Sequence, residues 1–180
     1  SQDSNVVNLQ YWIWSNYLGI RARPDNGITI CASRNHSPCM FYSIDGYNFQ
    51  NYTQSEITSQ VTIYDIGWNG SRWLAGTNPI LTSIDGTDGT WSSTGQNVDV
   101  TRIAWDGSKW LIAGNSTGIY TLSSDLTTLT HRWPSDRTNI GGDTRVMSLY
   151  YNSNIPTYKY WIGTYCPNGG STVINSEVVL

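Results

Sequence analysis

Three aspartates, Asp45, Asp85 and Asp125, stand 40 residues apart, and each follows a serine by two places: Ser43, Ser83 and Ser123. Carboxylates are the acids and bases of glycoside hydrolysis, which needs two of them flanking the scissile bond. A regular spacing points elsewhere. Ser-x-Asp followed by glycine, as at Gly46 and Gly86, is turn chemistry, in which the aspartate oxygen accepts N–H groups of its own turn. The chain has only two glutamates, Glu56 in an expected connection and Glu177 near the terminus. They assemble no carboxylate pair of suitable separation, and the three aspartates read as structural.

Other chemistries have fewer residues to draw on. The histidines are His36 and His131, and no Gly-x-Ser-x-Gly or phosphate-cradling loop occurs. Cys31, Cys39 and Cys166 lack a second paired motif, so no zinc site is expected. Cys31 and Cys39 could close a disulfide across a hairpin or stand as two buried thiols. The expectation is no catalytic residue, no metal and no cofactor. A net charge of −3 with 13% charged residues and no basic run argues against a nucleic-acid partner. No apolar run approaches the roughly 20 residues of a membrane-spanning helix. Asn35-His-Ser, Asn51-Tyr-Thr, Asn69-Gly-Ser and Asn115-Ser-Thr are sequons that permit a glycosylated surface protein. The chain begins at Ser1, as a processed protein or one part of a longer chain would.

The chemistry-bearing side chains that remain are aromatic. There are 9 Trp and 12 Tyr against 2 Phe, a bias that suits strands and half-wet surfaces. Tyr47, Trp91 and Tyr120, near expected strand ends, could stack on sugar faces once per repeat, or fill the spaces between repeats.

The elements that position these residues repeat. WNGSRWLAG at Trp68–Gly76 returns 37 residues later as WDGSKWLIAG at Trp105–Gly114. Asn69-Gly70 and Asp106-Gly107 favour a two-residue type I′ turn, so each segment is expected to be a β-hairpin. A second strand-turn-strand follows each at the Ser-x-Asp motif, giving four short strands in about 40 residues, the period of a propeller blade. Gly67 and Ala104 are small at one station, as crowding of inner strands requires, and Trp68 and Trp105 are expected to pack between blades. Weaker copies bracket the strong ones. Val6 to Trp14 reads as an inner strand with a long connection from Ser15 to Asn26, and Arg145 to Tyr150 reads as another. The sequence therefore predicts an all-β chain, one propeller-type domain over 1–180, with four-stranded antiparallel blades near 6–53, 61–95, 99–134 and 144–180. The fourth lacks an obvious outer strand, which Ser4–Val7 could supply. Otherwise an open or partner-completed array is expected. Asp65 and Arg102 hold one inner-strand station and are expected to approach across a blade boundary.

Ser43-Ile-Asp45-Gly46 with Phe49, and Ser83-Ile-Asp85-Gly86 with Trp91, resemble the Asp-box of BNR-repeat propellers. Ser123-Ser-Asp125 resembles it less, with Leu126 in place of glycine. The WNGSxW hairpin is similar to repeats of propeller proteins in bacteria and large DNA viruses. The resemblance implies a propeller whose Asp-box turns lie between third and fourth strands, away from the ligand-binding face. It implies as first function a non-catalytic structural or interaction module with protein partners in a larger assembly, at a virion, capsid or extracellular surface. A glycan-binding lectin is the alternative. A sialidase-like glycosidase is a weaker reading, because its arginine cluster and Tyr–Glu pair have no matching set here.

Overall fold

In the computed structural model, the described residues are 16–23, 27–34, 39–60, 62–115, 118–133, 145–151, 154, 160–165 and 172–176. They form four antiparallel sheets in chain order. The first is β1 (Asn16–Ala22), β2 (Thr29–Arg34), β3 (Met40–Ser43) and β4 (Gln50–Asn51). After a single-turn helix α1 (Ser55–Thr58) comes β5 (Ile66–Trp68), β6 (Trp73–Ala75), β7 (Leu81–Ser83) and β8 (Ser92–Ser93). The third sheet is β9 (Val100–Trp105), β10 (Lys109–Gly114), β11 (Gly118–Ser123) and β12 (Leu129–Trp133). The fourth has β13 (Arg145–Tyr151), β14 (Tyr160–Tyr165) and β15 (Thr172–Ser176) among the described residues. These are four blades of an all-β propeller.

Two expectations about the first blade and the hairpins are corrected. Its inner strand is Asn16–Ala22, within the stretch expected to be a connection; Val6–Trp14 and Ser4–Val7 lie outside the described residues. Pairing explains the choice, since Ile20 opposes Cys31 and Ala22 opposes Thr29, leaving a connection of ordinary length to β2. In the repeated hairpins, Trp68 opposes Trp73 and the Asn69 N–H donates to the Arg72 carbonyl. The central pair is thus Gly70-Ser71, with Gly70 alone carrying positive φ, +98°. A type I′ turn, which needs positive φ at both central residues, is thereby excluded. Asn69 moves to the flank, where its Oδ1 accepts the N–H groups of Ser71 and Arg72 at 2.9 and 2.7 Å. Asp106 does the same for Ser108 and Lys109, at 2.8 Å each.

Strand side chains alternate between faces, so a blade can bury one face against each neighbour. Among the described residues three hydrophobic cores join successive blades. Ile30 and Met40 of the first blade meet Ile66, Trp73 and Trp91 of the second. Leu74 and Ile80, from the other face of the second blade, meet Val100, Ile103 and Trp110 of the third. Leu111, Ala113 and Ile119 meet Ile162 of the fourth. The fully buried tryptophans are Trp73 and Trp110, the second of each hairpin; Trp68 and Trp105 are half-buried and pack on the rims of these cores. Each stays in ring contact with its hairpin partner, at 4.9 Å for Trp68–Trp73 and 5.1 Å for Trp105–Trp110.

The expected crowding of inner strands is concrete at Gly67. A methyl group there would stand 2.6 Å from Ile103 Cγ2 and 2.8 Å from Trp110 Cζ3, both of the next blade. Gly67→Ala should therefore lower unfolding free energy by about 1–3 kcal/mol, the usual cost of overpacking a close-packed core. Chemical denaturation checks this, and an unchanged midpoint would mean the second and third blades do not meet at Gly67.

Candidate functional site

The Ser-x-Asp turns are self-contained hydrogen-bond cages. Asp45 Oδ1 accepts the Tyr47 and Asn48 N–H groups at 2.8 Å each and the Ser43 hydroxyl at 2.8 Å. Ser43 Oγ in turn accepts the Gly46 N–H at 2.9 Å. The second turn repeats this, with Thr87 donating its N–H to Asp85 Oδ1 and Gly86 donating to Ser83 Oγ. In the third, Thr127 donates to Asp125 Oδ1, and Leu126 takes the left-handed conformation, φ +67°, that Gly46 and Gly86 hold at +78° and +82°. A leucine there costs on the order of 1–2 kcal/mol. Its side chain, 6% exposed in the core between second and third blades, offsets the strain by burial. The N–H of Asn48, then that of Tyr47, holds the Asp45 carboxyl well below the ordinary carboxylate range. All three turns lie between third and fourth strands of their blades.

The three aromatic candidates do not make one site. Tyr47 is 84% exposed on the first Ser-x-Asp turn. Trp91 is 3% exposed and packs edge-on to Tyr52, ring centroids 6.1 Å apart, so it is core and not a stacking platform. Tyr120 is half-buried in mid-strand, with its ring 4.7 Å from that of His131. Cys31 and Cys39 are free, buried thiols and not a disulfide. The ladder sets Phe41 against Cys31, while the Cys39 carbonyl meets the Ser33 N–H, two residues further along. Burial pushes their pKa values up to about 11 and about 12, which makes them poor nucleophiles.

Two glutamines hold the inter-blade connections, and sequence reasoning missed both. Gln54 Nε2 donates to the Trp91 carbonyl at 2.8 Å and Gln54 Oε1 accepts the Trp91 N–H at 3.1 Å, joining the linker to the next blade. Gln96 Nε2 donates to the Leu126 and Thr127 carbonyls of the third blade's turn. Asp88 adds a second tie, accepting the Thr53 and Gln54 N–H groups at 2.9 and 3.2 Å. A signal was present: each glutamine falls five residues after the aromatic of its own Ser-x-Asp motif, Phe49 or Trp91.

The inner strands converge on an axial pocket of about 270 Å³. Gly19, Ile20 and Arg21 line it from the first blade, Asp65 from the second, Arg102 from the third, and Ser148 and Leu149 from the fourth. The first and fourth blades thus both border this cavity. The expected approach of Asp65 and Arg102 is present, since both line it. The Asp65 carboxylate itself crosses the blade boundary through Oδ2, which accepts the Ile103 N–H at 2.9 Å, while Oδ1 accepts the Ile66 N–H at 2.9 Å. Burial pushes the Asp65 carboxyl above its ordinary value despite these donors and the nearby Arg21 and Arg102. The Arg21 Nε donates to the Ile66 carbonyl at 3.2 Å.

Comparison with known proteins settles the fold class. No family model matches the chain, and no curated protein sequence matches it. Solved structures do. A chain of the crystal structure of a nidogen/laminin complex superimposes with TM-score 0.61 at 12% identity, covering 90% of this chain and 65% of that one. Sqt1 of Saccharomyces cerevisiae matches at 0.53 and 13%, over 89% of this chain and 46% of its own. YCF48 of Cyanidioschyzon merolae matches at 0.54 and 14%, over 90% and 56%. These neighbours are β-propellers, and the chain is a β-propeller of about four blades. It spans about two-thirds or less of those three chains. The computationally designed Ika4 protein is nearer in length, at TM-score 0.56 and 12% identity, with 89% of this chain and 91% of that one covered.

Asn69 and Asp106 do the same work, so charge and turn geometry can be separated. Burial pushes the Asp106 carboxyl up, and the N–H groups of Lys109 and Ser108 outweigh it, leaving it below its ordinary value. A lowered folded pKa contributes stability above the unfolded value of 3.8, lost as pH falls through the folded value. Asp106→Asn keeps Oδ1 as acceptor and loses the 3.1 Å ion pair with Lys109. It should cost no more than about 1 kcal/mol at pH 7 and show a shallower loss of stability below pH 3.8, measured by thermal melts across pH. An unchanged acid limb would show that Asp106 is not held as described.

Proposed function

We propose that this propeller is a non-catalytic interaction module of the Asp-box type, with protein partners in a larger assembly at a virion or extracellular surface. The observation that carries the reading is an apolar rim. Ile44 is 62% exposed, Ile84 68% and Tyr47 84%, all within the first two Ser-x-Asp turns. Ile44 and Ile84 hold the same station in neighbouring blades. Large apolar side chains standing in water on backbone fixed by several hydrogen bonds are what a partner can cover at little entropic cost. The Ser–Asp–Gly cages support the Asp-box reading, and two glutamates and two histidines in 180 residues support a non-catalytic one. One solved neighbour belongs to a nidogen/laminin complex, which lends the partner reading an analogy.

A lectin remains the competing reading because Tyr47 is exposed enough to stack on a sugar. Light scattering on the native assembly and a glycan array on the isolated chain separate the two. The proposal expects the chain in a complex well above 20.1 kDa, and expects Ile44→Ser with Ile84→Ser to release it with its melting temperature changed by no more than a few degrees. Sugar binding by the monomeric chain, lost on Tyr47→Ala, would overturn it in favour of the lectin.

A further inference from the structure

We infer that Asn51 carries an N-linked glycan, which shields the outer edge of the first blade; this rests on the virion- or extracellular-surface reading above. Of the four sequons, Asn35-His-Ser lies outside the described residues, and the structure separates the other three. Asn51 ends β4, the outermost strand of the first sheet. Its side chain is exposed, and among the described residues no hydrogen bond engages it.

The rest of that sequon is held inward. Tyr52 is 1% exposed, with its ring edge-on to Trp91 and its hydroxyl donating to the Gly86 carbonyl. The Thr53 amide and hydroxyl both donate to Asp88, in the Ser-x-Asp turn of the second blade. The hydroxyl that defines the acceptor motif is therefore taken once the second blade docks. Transfer must come before that, on the growing chain, and a sugar attached then is compatible with folding only where the packed blades leave it outside. Asn51 meets that condition: it stands in water while its two neighbours in the motif are clamped on the next blade.

Asn69 and Asn115 do not meet it. Asn69 Oδ1 accepts the Ser71 amide and hydroxyl and the Arg72 amide, so this sequon is closed on itself by its own hairpin turn. A local bond of this kind needs no second blade to form. Asn115 Nδ2 donates to Asp99 Oδ2 at 3.1 Å and its Oδ1 is buried, so a sugar on that nitrogen would have to enter the same enclosed space. The step at Asn51 is a group transfer from a lipid-linked oligosaccharyl diphosphate. The bond from the anomeric carbon to the diphosphate oxygen breaks, and the bond from that carbon to Asn51 Nδ2 forms. The diphosphate leaves with the electron pair, and the amide gives up one proton to a base of the transferase. A bulky hydrated glycan on an outermost strand then blocks edge-to-edge pairing with other chains.

Peptide mapping by mass spectrometry tests this on the full chain, taken from its native source and, separately, secreted from eukaryotic cells. In both, the Asn51 peptide should carry a glycan on most molecules, and the Asn69 and Asn115 peptides on few. Asn51→Gln should lower the mass of the secreted chain by one glycan and leave its melting temperature within a few degrees. Thr53→Ser, which keeps the hydroxyl, should retain the glycan. Ile44→Ser with Ile84→Ser should release the partner and leave Asn51 occupied, which keeps failure of the rim distinct from failure of the glycan. An unmodified Asn51 in the native chain would overturn the inference, as would equal occupancy at Asn115 or an unchanged mass in Asn51→Gln.

Discussion

A methyl group on Gly19 would stand 2.9 Å from Asp65 Oδ1, and the other oxygen of that carboxylate is bound to the Ile103 N–H in the following blade. Three blades therefore meet at one buried carboxylate. Inner strands that approach this closely leave no room for a side chain at certain stations. The sequence answers with Gly19, Gly67 and Gly76 along the first two boundaries. Close approach creates a second demand, since any backbone N–H enclosed there needs an acceptor. Asp65 supplies it, and the cost is a desolvated carboxyl whose raised pKa favours the folded state only below its unfolded value, with that advantage lost as pH rises through the folded value.

Away from the axis, the blades are joined by different means. Apolar side chains fill the boundaries, with Trp73 and Trp110 as the largest pieces at matching stations. At the periphery, polar clasps fix one blade to the next: Gln54 on Trp91, Gln96 on Leu126 and Thr127, and Asp88 on Thr53. The Ser-x-Asp turns serve both ends of this arrangement. Their aspartates satisfy local N–H groups, and their outer positions present Ile44, Tyr47 and Ile84 to solvent. Rigidity from the first task is what makes the second useful for recognition.

Much of this was legible in the chain. The 37-residue recurrence of the Trp-Asn/Asp-Gly-Ser-x-Trp hairpin and the 40-residue recurrence of Ser-x-Asp mark two hairpins per blade, and a repeat must stack on its neighbours to bury both faces. The small residue at Gly67 was readable for the same reason. The inner strand of the first blade was set too early in the chain because nothing local marks Asn16–Ala22, whose role shows only in its pairing with β2. The turn type was misread because Asn-Gly is ambiguous in register: one step moves asparagine from the centre of the turn to its flank. Trp91, near an expected strand end, could be read as a stacking platform or as packing between blades, and what decides is the Tyr52 ring of the preceding blade, 39 residues upstream, which no local pattern reveals. The axial pocket joins positions from four blades, and only the Asp65–Arg102 part carried a periodic signal.

Asp65 fastens the second blade to the third through a backbone amide sealed from water. Native-state hydrogen exchange at the Ile103 N–H tests that directly. The account predicts that this amide exchanges only through global unfolding in the wild-type chain, and that Asp65→Ala accelerates it far more than amides of β11, such as Thr121, at the same denaturant-corrected stability. An Ile103 amide that exchanges rapidly in the wild type, or one equally protected in Asp65→Ala, would contradict it.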